Sequence, residues 1–304
     1  MKEGVDPLSI AAKFGVEAAS AKRAPRSNLS SVYILDDAYV LRSRDAAPSL
    51  GEALERERLL LAALGALVPV SFPVLMNTRD GKKFVEIEGK AWTLYPLIRG
   101  DVLCGWQELY YAIKEEEWEA VLSFMRQMHD ATRGKLPAQT SPYSFARDVG
   151  GQLDRVGKMI SEHAQKRMRR ALDIVAVYEA EHTQSFVHGD LHPGNMLFSG
   201  GKVVGLIDVD WCRAGVWAED LGYLAMMALR DYRKNVFLNL DKEFFARILD
   251  WYGVPESERA TLYEYIVLYT FYDFALFEWS PQMPKQALNI GYQRGMVEKL
   301  CSVL

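Results

Sequence analysis

The sequence predicts an α+β fold of two lobes, a small mixed β-sheet lobe that carries one key helix and a larger, mainly helical lobe. Short runs rich in β-branched and aromatic residues dominate before Pro96, and long segments with helical spacing of apolar residues dominate after it. A length of 304 residues also suits about two structural units. We expect the small lobe to span residues 1–97 and the large lobe to span residues 98–304.

Within the small lobe, turn signals separate the predicted strands. Asp36-Asp37 predicts a hairpin turn between the first two strands, and the segment 79–81 predicts a turn between the next two. Ser49 and Glu52 form a capping-box pattern, and leucines at helical spacing follow them. The predicted strands cover 31–35, 39–42, 72–76, 83–87 and 92–97.

The large lobe is predicted to consist of amphipathic helices with two short apolar strands between them. The apolar segment 261–279 contains Glu264, Asp273 and Glu278, each costly at a bilayer centre, so we expect a buried or interfacial helix there and no membrane span. One helix face is marked by Trp118, Val121, Leu122, Met125 and Met128. Further helices are predicted at 159–181, 218–231, 242–252, 258–279 and 286–300, and strands at 186–188 and 203–207.

Composition and cysteine use narrow the classes of function. The net charge is −4, from 36 basic and 40 acidic residues, which disfavours a protein dedicated to nucleic acid. Cys104, Cys212 and Cys301 are far apart and form no CxxC pair, so we expect neither a disulfide framework nor a structural zinc site. Charges are mixed throughout residues 1–26, which disfavours a signal peptide. These features favour a cytoplasmic protein that binds no membrane.

The strongest chemical signal lies between residues 186 and 208. A short apolar strand ends at a His-Gly-Asp turn that contains Asp190, a Pro-Gly corner presents Asn195, and a second apolar strand delivers Asp208. Two carboxylates and a carboxamide are oxygen ligands that suit Mg²⁺, and one Asp can be spared to accept a proton from a hydroxyl. The spacing H-x-D-x-x-x-x-N followed by a later Asp is the layout of a kinase catalytic loop.

The fuller string His-Gly-Asp-Leu-His-Pro-Gly-Asn, with Leu-Ile-Asp after it, resembles the aminoglycoside phosphotransferase and choline kinase superfamily. The resemblance implies a protein-kinase-like fold and transfer of the γ-phosphate of ATP, or of GTP, to a hydroxyl of a small molecule. It implies that Asp190 is the catalytic base and that Asn195 and Asp208 hold Mg²⁺ against the nucleotide phosphates. It also implies that His188 braces the loop and that Asp220 opens a helix and hydrogen-bonds back to the loop.

In the small lobe the reaction requires a cation for the phosphates and a carboxylate to position it. The strand 39–42 carries Arg42 where this superfamily has Lys or Arg, and Arg44 follows two positions later. Glu57 lies on the helix face shared with Leu54 and Leu61 and matches the family's paired carboxylate, whereas Glu55 is expected to point elsewhere. The alternative for Glu57 is a solvated place on a charged helix surface.

Nucleotide contacts outside this pair are less defined by the sequence. There is no GxGxxG before residue 31, but Asn28 resembles part of the family's nucleotide loop. The adenine is expected near residues 95–99, where the lobes connect. His192 is ambiguous, and Asp210 either supports the metal or is simply solvated, with solvation the favoured interpretation.

Acceptor specificity in the family comes from the large lobe, and two groups of residues are candidates here. Tyr269 and Asp273 belong to an aromatic stripe with carboxylates, which suits a cationic amine or, alternatively, core packing. Arg213 and Trp217 follow the metal Asp and either contact the acceptor or phosphate or are structural. His129 is expected to be a buried, hydrogen-bonded packing residue.

The sequence therefore predicts a small-molecule kinase that depends on Mg²⁺ and a nucleoside triphosphate, with an aminoglycoside-, choline- or homoserine-like acceptor. One alternative is a protein Ser/Thr kinase, which the missing Gly-rich loop and the missing Ala-Pro-Glu segment disfavour. The other is a catalytically silent nucleotide-binding or coat-associated protein, which the presence of Asp190, Asn195 and Asp208 disfavours. The oligomeric state is not defined by the sequence.

Overall fold

A computed structural model describes residues 5–24, 31–104, 113–138, 140, 143–231, 236–237, 242–279 and 287–303. The first part of the chain forms a five-stranded antiparallel sheet in the order β1-β2-β3-β5-β4. These strands are β1 (Ala21–Arg23), β2 (Val32–Leu35), β3 (Tyr39–Asp45), β4 (Val85–Ile87) and β5 (Lys90–Pro96). Helices dominate the rest, so the predicted α+β fold class is confirmed. The lobe boundary at residue 97 stays a prediction.

The hairpin between β2 and β3 forms as predicted. Asp36 and Asp37 both adopt left-handed backbone conformations, with φ of 49° and 50°, which a primed two-residue turn requires. The Asp36 carboxylate accepts hydrogen bonds from the backbone N–H groups of Ala19 and Ser20, both at 2.8 Å. The turn therefore also fixes the chain that leads into the sheet.

The sheet has its own small core, to which a helix absent from the sequence prediction contributes. Helix α1 (Pro7–Lys13) is capped by Asp6, whose side chain accepts the N–H groups of Leu8 and Ser9. Ile10 of α1 is fully buried against the inner face of the sheet. Its partners in that core include Leu35, Leu41, Trp92 and Leu94.

Helix α2 (Leu50–Leu67) connects the sheet to the large core. It begins after Ser49 as predicted, but the Ser49 side chain makes no capping hydrogen bond, so the predicted capping box is wrong. Its first half packs on the sheet through Leu54, and its second half enters the large core through Leu60 and Leu64. This position places Glu57, midway along α2, between the two cores.

The predicted strand 72–76 is wrong, and the strand predicted at 83–87 is shortened to β4. Pro73 has no N–H to donate to a ladder, and no strand forms over residues 72–76. It is attached by single contacts, a bridge from Ser71 to Gly205 and a hydrogen bond from Met76 N to Leu94 O at 2.9 Å. The turn at 79–81 does form, closed by Gly81 N donating to Thr78 O at 2.9 Å.

Beyond the sheet, helices pack around one large apolar core. They are α3 (Glu115–Thr132), α4 (Phe145–Val156), α5 (Glu162–Glu181), α6 (Ala218–Ala228), α7 (Lys242–Tyr252), α8 (Glu256–Trp279) and α9 (Ala287–Val303). Helix α8 runs through the centre and packs on α4, α5, α6 and α9. Helix α4 was not predicted, α5 starts three residues later than predicted, and α6 ends before residue 230; the bounds of α8 and α9 differ from the predicted ones by one to three residues.

No helix in the described ranges is long and apolar enough to cross a membrane. The apolar segment of α8 is instead buried by its neighbours, as predicted: Leu262, Tyr265 and Ile266 are each fully buried. The three cysteines are free thiols. All three are buried.

Short strand pairs lie between α5 and α6. Strand β6 (Ser185–Val187) pairs with β9 (Arg213–Gly215), and β7 (Met196–Ser199) pairs with β8 (Lys202–Leu206), all antiparallel. A further short pair, β10 (Arg230–Asp231) with β11 (Val236–Phe237), follows α6. The loops that join β6 to β7 and β8 to β9 carry the motif.

Candidate active site

The motif residues are brought together by the ends of β6, β7 and β8. Strands β6 and β8 are not paired with each other. Ile207, which follows β8, connects the end of β8 to Asn195 and to His188. Its N–H donates to Asn195 O at 3.0 Å, and its carbonyl lies 3.0 Å from His188 Nε2. The loop that carries Asp190 and the loop that carries Asp208 are therefore held side by side.

Asp190 lies in the centre of a hydrogen-bond network. Asn195 Nδ2 donates to Asp190 O at 2.8 Å and to Asp190 Oδ2 at 3.1 Å. The hydroxyl of Tyr223, on α6, donates to the other carboxylate oxygen at 2.5 Å. With both oxygens held, the carboxylate has a fixed orientation. Tyr223 was not found by sequence reasoning, because no local pattern links it to residue 190.

The surroundings of Asp190 perturb its acidity. Burial raises the pKa of Asp190 to about 7, while the Tyr223 and Asn195 hydrogen bonds act to lower it. The negative charges of Asp208 and Asp273 also raise this pKa. A carboxyl group with a pKa near neutrality suits proton transfer to and from a hydroxyl. Asp273 is thereby placed within electrostatic range of Asp190.

The backbone beneath Asp190 is anchored by Asp220, at the start of α6. Its carboxylate accepts the N–H groups of His188 at 2.9 Å and Gly189 at 2.8 Å. His129 contacts the same carboxylate at 3.1 Å and Tyr252 at 2.8 Å, and it is fully buried as predicted. This is the contact from Asp220 back to the loop that the family resemblance implies.

Two histidines support the loop from inside. His188 accepts the N–H of Asp190 at Nδ1, at 3.3 Å, and burial lowers its pKa. His192 accepts the N–H of Gly194 at 3.0 Å, and burial lowers its pKa to about 4. The His192 Nε2 atom is 3.9 Å from the nearer Asp190 oxygen, too far for a hydrogen bond. Both rings are therefore neutral braces of the loop.

Glycine is required at position 189. Its φ is +82°, and an added Cβ would lie 2.3 Å from Arg213 Nη1 and 2.6 Å from Trp211 O. Arg213 is itself fully engaged, because its guanidinium donates to Glu219 at 2.7 and 2.9 Å and lies 4.4 Å from the Tyr143 ring centroid. The structure thus gives Arg213 a packing role, and its predicted contact with an acceptor is not supported by its position.

Two other acceptor candidates also lie in the core. Trp217 is buried and stacks on Tyr252 with ring centroids 4.9 Å apart. Tyr269 is buried, stacks on Phe145 at 4.1 Å and accepts a hydrogen bond from Arg213 at 3.2 Å. Among the four residues predicted to face an acceptor, Asp273 is partly exposed, and its negative charge raises the pKa of Asp190.

The small-lobe ion pair differs from the expected one. Arg44, not Arg42, pairs with Glu57, at 3.0 Å in a mostly buried position. Arg42 instead reaches the other lobe, where Nη1 is 2.9 Å from Asp208 and Nη2 is 2.8 Å from Asp210. Asp210 also lies 2.9 Å from Arg44, so the solvated interpretation of Asp210 is wrong. The two arginines point to one side because they are two residues apart on β3.

The remaining predictions for the small lobe have mixed outcomes. Glu55 points away from the cleft, as expected, and pairs with Arg58 at 2.6 Å and with Lys83. Asn28 lies outside the described residues. In the connecting segment 95–99, the Leu97 N–H donates to Ala38 O at 2.8 Å and is not free for an adenine.

Comparison with solved structures shows which class of fold this is. The GDP and kanamycin complex of APH(2")-IIIa aligns with a TM-score of 0.71 at 14% identity, over 96% of this chain and 97% of that chain. Macrolide 2'-phosphotransferase MphH from Brachybacterium faecium aligns with a TM-score of 0.60 at 16% identity, over 98% and 97%. The chain therefore has the kinase-like fold of these antibiotic phosphotransferases.

The sequence itself matches the model of the phosphotransferase enzyme family over residues 21–265. This chain belongs to that family. It is also similar to homoserine kinase from Pseudomonas aeruginosa, with 26% identity over 175 residues. That match covers 56% of this chain and spans about half, 51%, of the relative.

Proposed function

We propose that this protein transfers the γ-phosphate of ATP or GTP to a hydroxyl group of a small molecule. The observation that carries the proposal is the fixed carboxylate of Asp190, which is held by Asn195 and Tyr223 beside Asp208. Membership of the phosphotransferase family supports the same reaction class. The names of three similar proteins, a homoserine kinase, an aminoglycoside phosphotransferase and a macrolide phosphotransferase, each state a small molecule as the phosphate acceptor.

The donor set at the strand ends fits Mg²⁺. Asn195 uses its amide nitrogen on Asp190, which leaves its carbonyl oxygen for a cation, and Asp208 offers a carboxylate that is 44% exposed. No cluster of three or more His, Cys, Asp and Glu side chains suited to a metal occurs in the described ranges. Asn195 and Asp208 would hold a magnesium ion by two protein oxygens, and phosphates and water would supply its other ligands. When bound, the ion would neutralise charge on those phosphates.

Small-lobe cations fit the phosphates of a nucleotide. The Nε atoms of Arg42 and Arg44 are buried, and neither has a hydrogen-bond partner among the described residues. A buried guanidinium N–H without a partner is costly, and an anionic oxygen would satisfy it. We therefore assign phosphate binding to both arginines, with Glu57 positioning Arg44.

In the proposed reaction Asp190 orients the acceptor hydroxyl and accepts its proton. The hydrogen bonds from Asn195 and Tyr223 use one lone pair on each carboxylate oxygen, so further lone pairs are left for the acceptor. Asp220 keeps the backbone of the loop in place. Catalysis then rests on positioning and charge neutralisation, which is characteristic of phosphoryl transfer.

On the acceptor side we propose Asp273, on α8, as the residue that meets the acceptor. The negative charge of Asp273 raises the pKa of Asp190, and Asp273 is partly exposed. A carboxylate in this place favours an acceptor that carries an amine. The acceptor classes to screen are aminoglycosides, amino alcohols, amino acids with a hydroxyl, and sugars.

The test is acceptor-stimulated consumption of ATP or GTP, measured with Mg²⁺ over these acceptor classes. Asp190→Asn should lower acceptor-dependent turnover by about 10²- to 10⁴-fold, because the general base is lost. Nucleotide affinity, measured by thermal shift, should stay within a few-fold of the wild type. Asp154→Asn, on an exposed carboxylate of α4, is the matched control and should retain full turnover.

Normal turnover in Asp190→Asn would refute the role of Asp190. A catalytically silent nucleotide-binding protein would bind nucleotide but show neither acceptor-dependent nor background hydrolysis. A protein kinase would phosphorylate a peptide or protein and none of the small molecules.

A further inference from the structure

The guanidinium of Arg42 is paired with Asp208, the carboxylate that is proposed to bind the metal. Its Nη1 atom donates to Asp208 Oδ1 at 2.9 Å and to Asp210 Oδ1 at 3.0 Å, and its Nη2 atom is 2.8 Å from Asp210 Oδ2. Asp210 thus holds the guanidinium at two points, whereas Asp208 shares one nitrogen. Arg42 reaches these groups from β3, across the cleft between the sheet and the motif.

The contacts of Arg42 with Asp208 and Asp210 are separate from the pair of arginine and Glu57 that the reaction class leads us to expect. Arg44 is held by Glu57 at 3.0 Å, by the Tyr95 hydroxyl at 2.7 Å and by Asp210 at 2.9 Å. The Arg44 side chain is therefore fixed on three sides, and Arg42 is the second cation of the site. Arginine stays protonated in proteins, so the Arg42 guanidinium is charged.

We propose that Arg42 is the resident counter-ion of Asp208 when no nucleotide is bound, and that it excludes free divalent cations from that carboxylate. The metal then enters only together with a nucleotide, whose phosphates take over the guanidinium. This inference rests on the proposed function in one respect, the assignment of Asp208 as a metal ligand.

Electrostatics explain why the two cations exclude each other. The Arg42 guanidinium lies 2.9 Å from an Asp208 oxygen, and its positive charge would repel a divalent ion bound at the same carboxylate. A nucleotide brings several negative charges, which remove that repulsion. Because Asp210 holds Arg42 independently, release of Asp208 breaks one contact and leaves the guanidinium anchored beside the cleft.

The exchange is tested with Mn²⁺ as the probe, counted by electron paramagnetic resonance as free and bound ion. In the absence of nucleotide, Arg42→Gln should bind Mn²⁺ at least tenfold more tightly than the wild type. With saturating ADP or GDP present, the gain in Mn²⁺ affinity of Arg42→Gln should disappear or reverse. The reason is that the nucleotide phosphates no longer have the Arg42 guanidinium to bind. Adding Asp208→Asn to Arg42→Gln should abolish the gain.

Arg58→Gln is the matched control. Arg58 also sits in the small lobe and forms a two-point pair with Glu55, at 2.6 and 3.0 Å, away from the cleft. It should leave Mn²⁺ binding unchanged. If Arg42→Gln does not fold, Arg42→Met keeps the aliphatic stem and carries the same expectation.

The inference is overturned by no gain in Arg42→Gln, by an equal gain in Arg58→Gln, by a gain that persists with nucleotide, or by a gain that Asp208→Asn does not abolish. Failure of the proposed kinase function gives a different pattern of results from failure of the counter-ion inference. If no acceptor is phosphorylated while the Mn²⁺ results are as expected, the counter-ion role stands and the kinase reaction does not. If no variant binds Mn²⁺ even with nucleotide, the metal site itself is refuted, and the inference with it.

Discussion

The carboxylate of Asp220 is the support on which the geometry of the proposed catalytic loop depends, and its removal has a calculable cost. Asp220 is fully buried and accepts two backbone N–H groups of the loop, from His188 and Gly189, and a contact from His129. In Asp220→Ala these groups lose their acceptor. Each buried donor left unsatisfied costs about 1–3 kcal/mol.

Two backbone donors and one ring nitrogen therefore lead us to expect a loss of about 3–9 kcal/mol in the free energy of unfolding. Asp220→Asn keeps one acceptor oxygen, so a loss of about 1–3 kcal/mol is expected. Urea unfolding followed by far-ultraviolet circular dichroism measures both. Asp154→Ala removes a carboxylate whose side chain is 73% exposed, and it should change the unfolding free energy by less than about 0.5 kcal/mol.

The same substitution should alter the pH dependence of stability. Burial acts to raise the pKa of Asp220, but the hydrogen bond and charge of His129 and the His188 backbone N–H outweigh it and lower the pKa. The stability contributed by this depressed pKa is present above the ordinary value of 3.8 and is lost as the pH falls through the folded-state value. The stability difference between wild type and Asp220→Ala should therefore shrink in acid.

A loss below about 1 kcal/mol in Asp220→Ala would refute this reasoning, since it would mean that the loop backbone finds other acceptors at little cost. A stability difference that stays constant down to pH 2 would contradict the linkage. Turnover should fall along with stability at neutral pH, because the loop that carries Asp190 is no longer held.

Other consequences of the structure can be tested in the same preparation. Tyr223→Phe removes a donor to the charged Asp190 and should lower kcat by about tenfold or more with an unchanged nucleotide KM; an unaltered kcat would exclude a positioning role. Gly222→Ala places a Cβ 2.5 Å from Tyr265 Cβ and should cost about 1–3 kcal/mol by denaturant unfolding. Gly51→Ala, with open space around it, should not destabilise, and equal losses would contradict the packing argument. Chelation by EDTA should stop phosphoryl transfer, and excess Mg²⁺ should restore it; turnover in EDTA would count against the metal.

Much of the fold was open to prediction because local patterns decide it. The hairpin at Asp36-Asp37 requires left-handed backbone that aspartate tolerates, and the helix faces repeat at a fixed period. The errors have local causes as well. Around Pro73 the residues have strand-like preferences, yet a missing N–H excludes a ladder. At Ser49 the capping pattern was present, but its hydroxyl makes no cap.

Within the site, the contiguous part was predictable and the long-range part was not. The loop residues Asp190 and Asn195 are five positions apart, so their spacing alone indicates that they can meet. The sequence analysis assigned Arg42 as the partner of Glu57, whereas the packing of α2 against the sheet brings Arg44 to Glu57, at 3.0 Å. The sequence does not indicate a partner for Arg213. The structure shows that its guanidinium is paired with Glu219.

The sequence by itself determined the reaction class of this protein, because the groups proposed to do the chemistry lie in one short segment whose spacing the backbone enforces. It also determined the two-lobed arrangement, through hydrophobic periodicity. The tertiary structure decided which cation meets which carboxylate, and it brought Tyr223 to Asp190 across 33 positions of the chain. Such pairings depend on the relative placement of packed elements, and the residues involved carry no local mark of their partners.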